Sequence, residues 1–423
     1  MPQRASNRRR ERATWPSTGC ISKSRSTPEP VASQGTKNPM ELPLTGTKVL
    51  DLSKVLAGPL CTQHLSDMGA DVIKVEAEGV GDETRRWPPY KGDTGAVFLS
   101  VNRNKRSIVL DLKSEHGREA VKRLAAWADV AIESFAPGVA ARLGVDHASL
   151  RATNPRLVYC SISGYGQSGP LSAAPGYDLV LQAFSGLLTI TGEEGGGPVR
   201  SPMSPIDQAT GMNALAGILA ALLRRGRTGE GGYVEVSLFE TSVALMGYVL
   251  QNYWESGKLP GKSGCGHPSL CPYDVFQARD RAILIGVPND NLWRRFCVAV
   301  GRAELGTDPR FAGNAVRVAN AGETIALVQS IIGTDDCEHW LGVLARAGIP
   351  SAPLNTLQDL LDHPHTKARG LVTQYEHPVL GPTQTVLQPI TFDGAARQVR
   401  APVPMYGQHT DEVLAELGLS VGA

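Results

Sequence analysis

The sequence predicts an α/β fold in which a parallel β-sheet carries helices on both faces. Short apolar segments typical of buried strands alternate with longer amphipathic segments typical of helices. The phrase Gly69-Ala-Asp-Val-Ile73 is echoed by Trp127-Ala-Asp-Val-Ala131, and both mark a junction where a helix ends and a strand begins. This echo indicates repeated βαβ geometry.

The individual elements follow from apolar periodicity. Short apolar runs predict strands at 48–52, 72–75, 107–110, 130–132, 157–162 and 233–238. Helices are predicted from Pro59 onward and at 116–127, 208–225, 240–256 and 411–417. In the second of these helices, Ala120, Val121, Leu124 and Trp127 fall on one face. The stretch Met212–Leu223 is apolar but too short to cross a bilayer, so we predict a buried core helix there.

Length indicates two domains, because 423 residues exceed the size at which one hydrophobic core usually stops growing. The pattern of residues 266–345 is that of a smaller α+β unit. We therefore predict a large domain built from residues 41–265 and 346–423, with a small domain at 266–345 inserted into it.

Charge is unevenly distributed along the chain. Residues 1–40 hold eight Lys or Arg against two Glu, a charge of +6, whereas the whole chain carries +1. The remainder is slightly acidic, which excludes nucleic-acid binding by charge. We predict a disordered or non-native tail at 1–40 and a cytoplasmic protein without a membrane partner. If the tail is instead an Arg-rich transit peptide, the location is the mitochondrial matrix.

No cofactor-binding cluster stands out. The seven cysteines contain no CxxC pair, so neither a disulfide framework nor a zinc site is indicated. His363 and His365 lack a third ligand, and no metal is predicted. The run Gly164-Tyr-Gly-Gln-Ser-Gly169 matches a dinucleotide fingerprint, but Pro170 and the later Pro175-Gly176 break the helix that such a site needs. A loop that lets backbone approach a ligand is the favoured interpretation.

Asp207 is the strongest candidate for a catalytic residue. It stands at the start of a helix of small residues, where Asp is also a good N-cap. A helix N-terminus favours negative charge, which would keep the carboxylate ionised and available as a nucleophile. Small side chains at Ala209, Gly211, Ala214 and Gly217 would leave room for a thioester. Position alone leaves both roles open.

Two further segments carry candidate binding groups. The basic run Asn102–Ser107 is either a solvated loop or a phosphate site, which Arg142 could join. Residues Gly264, Gly266 and His267 lie in a flexible loop that could close over a reacting centre. His267 precedes a proline and is as well explained by a turn.

Taken in order, the motifs resemble those of family III CoA-transferases, the group of formyl-CoA and carnitine-CoA transferases. The matching phrases are Val49-Leu-Asp-Leu52, Leu56-Ala-Gly-Pro59, Gly69-Ala-Asp-Val-Ile-Lys-Val-Glu76, Asn104-Lys-Arg-Ser107, Gly164-Tyr-Gly-Gln167, Pro175-Gly-Tyr-Asp178, Asp207, Thr228-Gly-Glu-Gly231, Val236-Ser-Leu238, His267-Pro268, Pro272-Tyr273, Gly348-Ile-Pro350 and Gly407-Gln-His-Thr410. Each motif alone is weak evidence for the family, but the motifs occur in the same order over residues 45–412, and as an ordered set they are specific.

The resemblance implies a Rossmann-like large domain that holds CoA, a small inserted domain and an interlocked homodimer. It implies that Asp207 forms an acyl anhydride and then an aspartyl-CoA thioester. Acyl-CoA and carboxylic acids are the implied substrates, with no permanently bound cofactor. The residues it places at the CoA site are Asn104, Lys105, Arg106, Phe135, Arg142 and Tyr177, with Gly264, Gly266 and His267 in an active-site loop.

The same superfamily contains 2-methylacyl-CoA racemases, which carry a His where this chain has Tyr177. Tyrosine is a poor base at neutral pH, so transfer is favoured over racemisation. Formyl-CoA transferases carry a Gln at the position of Leu56, which puts formate and oxalate exchange in doubt. The sequence motifs at 100–105 and 164–167 resemble more closely those of family members that act on succinyl-CoA and small dicarboxylates.

Overall fold

A computed structural model describes residues 41–419 of the chain. The tail predicted for residues 1–40 therefore lies outside the described residues. The predicted strands and helices all appear, with ends that differ by a few residues, except that the helix predicted at 240–256 is two helices separated at Met246.

The strands are β1 Lys48–Leu52, β2 Asp71–Ala77, β3 Tyr90–Lys91, β4 Thr94–Gly95, β5 Lys105–Leu110, β6 Val130–Glu133, β7 Val158–Ser163, β8 Gly232–Ser237, β9 Tyr273–Gln277, β10 Ala282–Gly286, β11 Ser351–Pro353, β12 Val372–His377 and β13 Gly381–Val386. The α-helices are α1 Ala57–Asp67, α2 Ala96–Val101, α3 Glu115–Trp127, α4 Val139–Leu143, α5 His147–Thr153, α6 Asp178–Phe184, α7 Leu187–Ile190, α8 Pro205–Thr228, α9 Leu238–Leu245, α10 Gly247–Ser256, α11 Asp290–Ala299, α12 Asn314–Ala319, α13 Ala321–Ile332, α14 Cys337–Ala347, α15 Leu357–Asp362, α16 Pro364–Arg369 and α17 Thr410–Glu416. Short 3₁₀ helices cover Glu83–Arg86 and Ala303–Gly306.

Six strands form one parallel sheet in the order β5-β2-β1-β6-β7-β8. Strand β1 pairs with β2 on one side and with β6 on the other, so Leu50 lies opposite both Ile73 and Ala131. Strands β2 and β5 extend the sheet on one side of β1, and strands β6, β7 and β8 extend it on the other. The strand order therefore reverses between β1 and β6. In such a Rossmann-like sheet, ligands bind beyond the carboxyl ends of the strands at this reversal point.

Each face of the sheet is covered by its own hydrophobic core. On one face, α1 and α8 pack against residues such as Val49, Val130 and Cys160, all without exposed surface. On the other, α3, α5 and α17 cover residues such as Leu50 and Tyr159. Successive side chains of a strand point to opposite faces, and both faces are covered here. Apolar residues therefore occur at adjacent positions of these strands.

Helix α8 lies unusually close to its neighbours because its small residues face them. A Cβ on Gly211 would stand 2.6 Å from the carbonyl oxygen of Ala57, and one on Gly217 would stand 2.7 Å from Val234 Cγ1. Ala214 is fully buried. These residues therefore serve helix packing, which corrects the expectation that they leave room for a thioester.

Among the described residues, α8 is the one helix long and apolar enough to cross a membrane by length and composition, and a core helix passes the same test. Only 33% of its most apolar window is buried, and Met212 and Leu223 are exposed. Only part of the helix therefore belongs to the core, which corrects the prediction of a buried core helix.

Residues 276–349 form a separate hydrophobic cluster around Trp293, Phe296 and Phe311. The three-stranded antiparallel sheet β11-β10-β9 and helices α11, α13 and α14 contribute to it. The cluster agrees with an α+β unit in this region. The domain boundaries at 265 and 345 stay a prediction, since β11 begins only at Ser351.

Candidate active site

Two cavities open beyond the carboxyl ends of the parallel strands. The larger, of about 600 Å³, is lined by the ends of β1, β2 and β5 together with the segment Glu78–Asp82, Lys113 and Leu143. The smaller, of about 260 Å³, is lined by the N-terminus of α1, the loops after β6 and β7, and Asp207. Lys54 and Phe135 line both cavities, so the two adjoin at the reversal point of the sheet.

Asp207 lies in the first turn of α8, as its third residue. The N-cap of the helix is Ser204, and Pro205 occupies the first helical position, which suits its fixed φ. The cap interpretation of Asp207 is therefore wrong. Its side chain is half-buried in the smaller cavity, and within residues 41–419 no hydrogen bond to its carboxylate is formed.

The N-terminus of α8 is capped from outside by Asp178, which the sequence analysis did not single out. Asp178 Oδ2 accepts hydrogen bonds from the backbone N–H groups of Ile206, at 2.9 Å, and of Asp207, at 3.1 Å. Its other oxygen, Oδ1, accepts one from Gln182 Nε2. The sequence offered two signals, its place in the motif Pro175-Gly-Tyr-Asp178 and its position at the start of a helix, and neither indicates a contact with the first turn of α8.

Burial and the nearby Asp178 charge raise the pKa of Asp207 to about 7. Both effects disfavour the carboxylate form, burial by removing water and Asp178 by repulsion. The expectation that the helix terminus keeps Asp207 fully ionised is therefore wrong, because Asp178 already occupies two N–H groups of that terminus. The carboxyl group is instead divided between its two protonation states near neutral pH.

The N-terminus of α1 borders the same cavity. Leu56, Ala57 and Gly58 all line it, and the N-cap residue Leu56 provides no side-chain hydrogen bond to the first turn. Gly58 is required by close approach, because a Cβ there would lie 2.3 Å from Ser53 Cβ. The first N–H groups of a helix are donors without a partner inside the helix, so this terminus suits a developing negative charge.

Gly164, the first residue of the glycine-rich run, lines the smaller cavity, in keeping with a loop whose backbone can approach a ligand, and it also makes a close contact within the protein. A Cβ on Gly164 would lie 2.9 Å from the Cα of Gly176, and Gly176 is equally restricted by Gly164. The contact fixes the segment that carries Tyr177 and Asp178. Tyr177 lines the smaller cavity, and 49% of its surface is exposed. Its contact with CoA, which the resemblance implies, stays a prediction.

The basic run before β5 is structural. Lys105 is buried, and its ammonium group contacts Asp51 Oδ2 at 3.2 Å, the carbonyl of Pro59 at 2.9 Å and Asn102 Oδ1 at 2.8 Å. Burial lowers the pKa of Lys105 to about 8, although Asp51 opposes this. The donors of Lys105 are engaged within the protein, and Lys105 lines neither cavity. Together these observations correct the phosphate-binding prediction for this residue.

Its neighbours are engaged in the same way. Asn104 has a φ of 61°, donates to Asp67 and accepts from the backbone N–H groups of Arg400 and Ala401. Arg106 pairs with Asp71 on β2 and with two glutamates of α17. Both side chains tie the edge of the sheet to the C-terminal segment, so they too are corrected from ligand contacts to structural ones.

Other predicted CoA contacts lie at or near the cavities. Phe135 lines both, and its backbone N–H donates to Glu133 Oε2 at 2.8 Å. Arg142 is exposed on α4, directly before Leu143 of the larger cavity. The sequence analysis missed Lys54 and Lys113, which supply cationic groups to the larger cavity. Isolated lysines in loops carry no pattern that would have revealed them.

The predicted active-site loop lies apart from these two cavities. Gly264, with φ 58°, donates its N–H to the carbonyl of Gly192, and a Cβ on it would meet Glu193. The His267 ring accepts a hydrogen bond from the Ser269 N–H at 3.0 Å, which is a turn contact. Gly264, Gly266 and His267 do not line either cavity, and their catalytic role stays a prediction. His363 makes a similar turn contact with His365.

Comparison with known proteins decides the family. The sequence model of CoA-transferase family III matches residues 44–410. The chain belongs to CoA-transferase family III. Its match covers nearly all of the described residues, including both cavities.

Relatives with curated names support the same family. The chain is 37% identical to the human succinyl-CoA:glutarate CoA-transferase over 376 residues, which cover 89% of this chain and 86% of the relative. It is 41% identical to the acetyl-CoA:oxalate CoA-transferase of Acetobacter aceti over 331 residues, which cover 78% of this chain and 85% of that one. Family membership and these relatives show that the protein is a CoA-transferase.

A solved structure agrees in fold. The crystal structure of a CaiB/BaiF family protein from Brucella suis is 37% identical, with a TM-score of 0.78, and the match covers 89% of this chain and all of that chain. The six-stranded sheet described above is therefore the Rossmann-like sheet of a family III CoA-transferase.

Proposed function

We propose that this enzyme moves CoA from succinyl-CoA, or another small acyl-CoA, to a carboxylic acid through covalent intermediates on Asp207. One observation carries the proposal. Asp207 is a half-buried carboxyl group with no hydrogen-bond partner among residues 41–419, and it faces a cavity that adjoins a much larger one. A nucleophile needs such an uncommitted, partly desolvated position.

The two cavities suit the two ends of an acyl-CoA. We place the nucleotide end in the larger cavity, near Lys113, because a cationic side chain there would bind phosphate. Lys54, which also lines this cavity, is paired with Glu83. The pantetheine chain would pass Phe135, which lines both spaces. Its thioester then arrives in the smaller cavity beside Asp207.

The transfer consists of four exchanges at carbonyl carbons. The Asp207 carboxylate attacks the acyl-CoA, forming a mixed anhydride and releasing CoA thiolate. The thiolate attacks the Asp207 carbonyl, which gives an aspartyl-CoA thioester and frees the donor acid. The acceptor carboxylate then attacks this thioester, and the returning thiolate attacks the acceptor carbonyl to give the new acyl-CoA and free Asp207.

Each exchange passes through a tetrahedral intermediate with negative oxygen. We propose that the uncapped first turn of α1, at Ala57 and Gly58, stabilises this charge, because its N–H groups border the cavity that holds Asp207. Backbone donors aimed at a developing oxyanion contribute about 3–4 kcal/mol in comparable acyl transfers. No metal or redox group takes part in these steps.

The substrate class follows from the size of the smaller cavity and from the relatives. About 260 Å³ suits a short acyl chain. Several relatives are named for succinyl-CoA with glutarate or mesaconate. Leu56 lines the cavity where formyl-CoA transferases have an amide, so small dicarboxylates are proposed rather than formate.

The test of the proposed function is a panel of acyl-CoA donors and carboxylate acceptors, read by mass. Succinyl-CoA with glutarate, mesaconate or a similar dicarboxylate should yield the acceptor's CoA thioester. Deuterium uptake at C2 of a 2-methylacyl-CoA, without any CoA exchange in the panel, would instead establish a racemase and contradict the proposal.

We also propose that the enzyme acts as an interlocked homodimer. Helices α6 and α8–α10 expose many large apolar side chains: Leu179, Val180, Phe184, Met212, Leu223, Val243, Leu245, Tyr248 and Trp254. An apolar surface of this extent is uncommon on a soluble monomer and fits a partner of the same kind. Sedimentation equilibrium at micromolar concentration should give twice the chain mass, and a monomer would contradict the proposal.

A further inference from the structure

Asp178 is held rigidly behind Asp207 and does not line the cavity. It is 6% exposed at the start of α6. Gln182 donates to its Oδ1, while Oδ2 accepts the N–H groups of Ile206 and Asp207. Gln182 is itself fixed, because its Oε1 accepts from the Ser201 N–H at 3.0 Å. Both carboxylate oxygens are therefore engaged, and substrate does not reach them.

A neutral residue would satisfy the same N–H groups. Asn, Ser and Thr cap helices as well as Asp does, yet the helix's own N-cap, Ser204, makes no side-chain cap bond. The chain instead places a second carboxyl group against the first turn of α8. Two carboxyl groups at one site disfavour each other's ionised form, so this arrangement is unfavourable for the free Asp207 carboxylate.

The covalent intermediates escape this repulsion. Both the anhydride and the aspartyl thioester leave Asp207 without charge, whereas the free enzyme has two adjacent carboxyl groups. The negative charge lost from Asp207 during acylation moves to the departing CoA thiolate. Repulsion from Asp178 therefore acts on the nucleophile and disappears when the nucleophile is acylated.

We propose that Asp178 is a positioning residue that fixes the first turn of α8 and occupies its N–H groups, so that the free Asp207 carboxylate is destabilised relative to its uncharged acyl derivatives. This inference rests on the proposed role of Asp207 as the nucleophile. Asp178 itself touches neither substrate nor CoA in this account.

Other titratable groups lie around α8, and the charged ones nearest the cavity have partners of their own. The elements packed against it and the cavity wall carry Lys54, Cys61, His64, Asp67, Tyr159, Cys160, Tyr177, Tyr233, Glu235 and Glu240. Lys54 pairs with Glu83, Glu235 accepts from the Gln167 N–H, and Glu240 accepts from Ser237. Within the described part of the chain, Asp178 is the charge that acts on the pKa of Asp207.

The test compares wild type with Asp178→Asn and with Asp178→Ser, a smaller neutral cap in case the first variant folds poorly. The rate of CoA release in a single turnover of succinyl-CoA is measured from pH 5 to pH 9. For wild type it should rise with pH through the Asp207 pKa of about 7 and then level off. Both variants should shift the midpoint to lower pH by about one unit and lower the plateau about tenfold, with KM for succinyl-CoA unchanged.

A second measurement does not depend on activity. Because the folded-state pKa of Asp207 lies above its unfolded value, wild type should lose stability relative to Asp207→Asn as pH rises from about 4 to 7. When the same comparison is made in the Asp178→Asn background, the decrease in stability caused by ionising Asp207 should be complete at a lower pH. Gln182→Ala, which keeps the Asp178 charge, is the control and should lower the melting temperature with little shift in either midpoint.

The possible failures are distinguishable. If both Asp178 variants lower the melting temperature but leave both midpoints near the wild-type value, Asp178 is only a helix cap and the inference is overturned. If wild type is acylated on a residue other than Asp207, the proposed function fails first, whatever the Asp178 variants do.

Discussion

Asp207→Ala should lower the rate of CoA transfer by about 10⁴-fold or more. The substitution removes the only group proposed to bond covalently with the acyl and CoA moieties, and water cannot replace it without hydrolysing the thioester. Affinity for succinyl-CoA should change by less than about threefold, because we propose that the nucleotide end binds in the larger cavity, away from Asp207. Steady-state kinetics together with a CoA-binding titration measure both quantities.

Two controls separate chemistry from folding. Asp207→Asn keeps the shape of the side chain and should lose the same activity. Glu240→Ala removes an acidic residue at the equivalent first turn of the next helix, where Glu240 accepts from Ser237, and should retain activity within about threefold. If Asp207→Ala keeps a tenth of the wild-type rate, Asp207 is not the nucleophile.

Lys105→Met should reduce the free energy of unfolding by about 3–5 kcal/mol. The change leaves the Asp51 carboxylate buried without its nearest cation and leaves Asn102 Oδ1 without its donor. The Pro59 carbonyl keeps the hydrogen bond from Thr62 Oγ1. In the wild type, burial raises the pKa of Asp51, but the charges of Lys105 and Lys74 together with hydrogen bonds from Ser53 and Thr62 lower that pKa overall. The Asp51 carboxylate is therefore ionised. Without Lys105, the cost of burying this charge away from water is no longer offset by its nearest cation. Urea unfolding at fixed protein concentration measures the loss.

The matched control is an exposed ion pair on the same protein. Arg123 contacts Glu119 at 3.1 Å with both side chains nearly half exposed, so Arg123→Met should lose less than about 1 kcal/mol. The double variant Asp51→Asn/Lys105→Met should recover part of the loss, because it removes the stranded charge. A Lys105→Met protein that is as stable as Arg123→Met, but binds CoA at least tenfold more weakly, would restore the phosphate-binding role predicted from the sequence.

The sheet was predictable because its strands are buried on both faces. Runs such as 48–52 and 157–162 are mostly apolar without an alternation of apolar and polar residues, and helix-length spacing between strands implies parallel pairing. Helix α8 begins three residues earlier than predicted, since Pro205 fits the first helical position. The break at Met246 was not predictable from apolar periodicity, which continues through both α9 and α10.

The candidate site was predictable only in part. Asp207 and Tyr177 line one cavity as expected. The prediction that the basic run binds phosphate was wrong because the sequence does not show that Lys105 points into the protein towards Asp51. Nor does it show that Asn104 adopts a positive φ and accepts hydrogen bonds from the C-terminal segment. The pairing of Asp178 with Asp207 depends on how α6 meets α8, which is a tertiary contact with no local signature.

The central claim, that Asp207 carries the acyl group and CoA in turn, is tested most directly by oxygen transfer. Turnover in ordinary water with an acceptor acid labelled with ¹⁸O at both carboxylate oxygens should leave label on the enzyme, because the final thiolate attack returns one acceptor oxygen to the nucleophile. Mass spectrometry of the peptide containing Asp207 should show a gain of about 2 Da per exchanged oxygen, assigned to that side chain. Product thioester formed with no label on Asp207, or with label on another residue, would contradict the account.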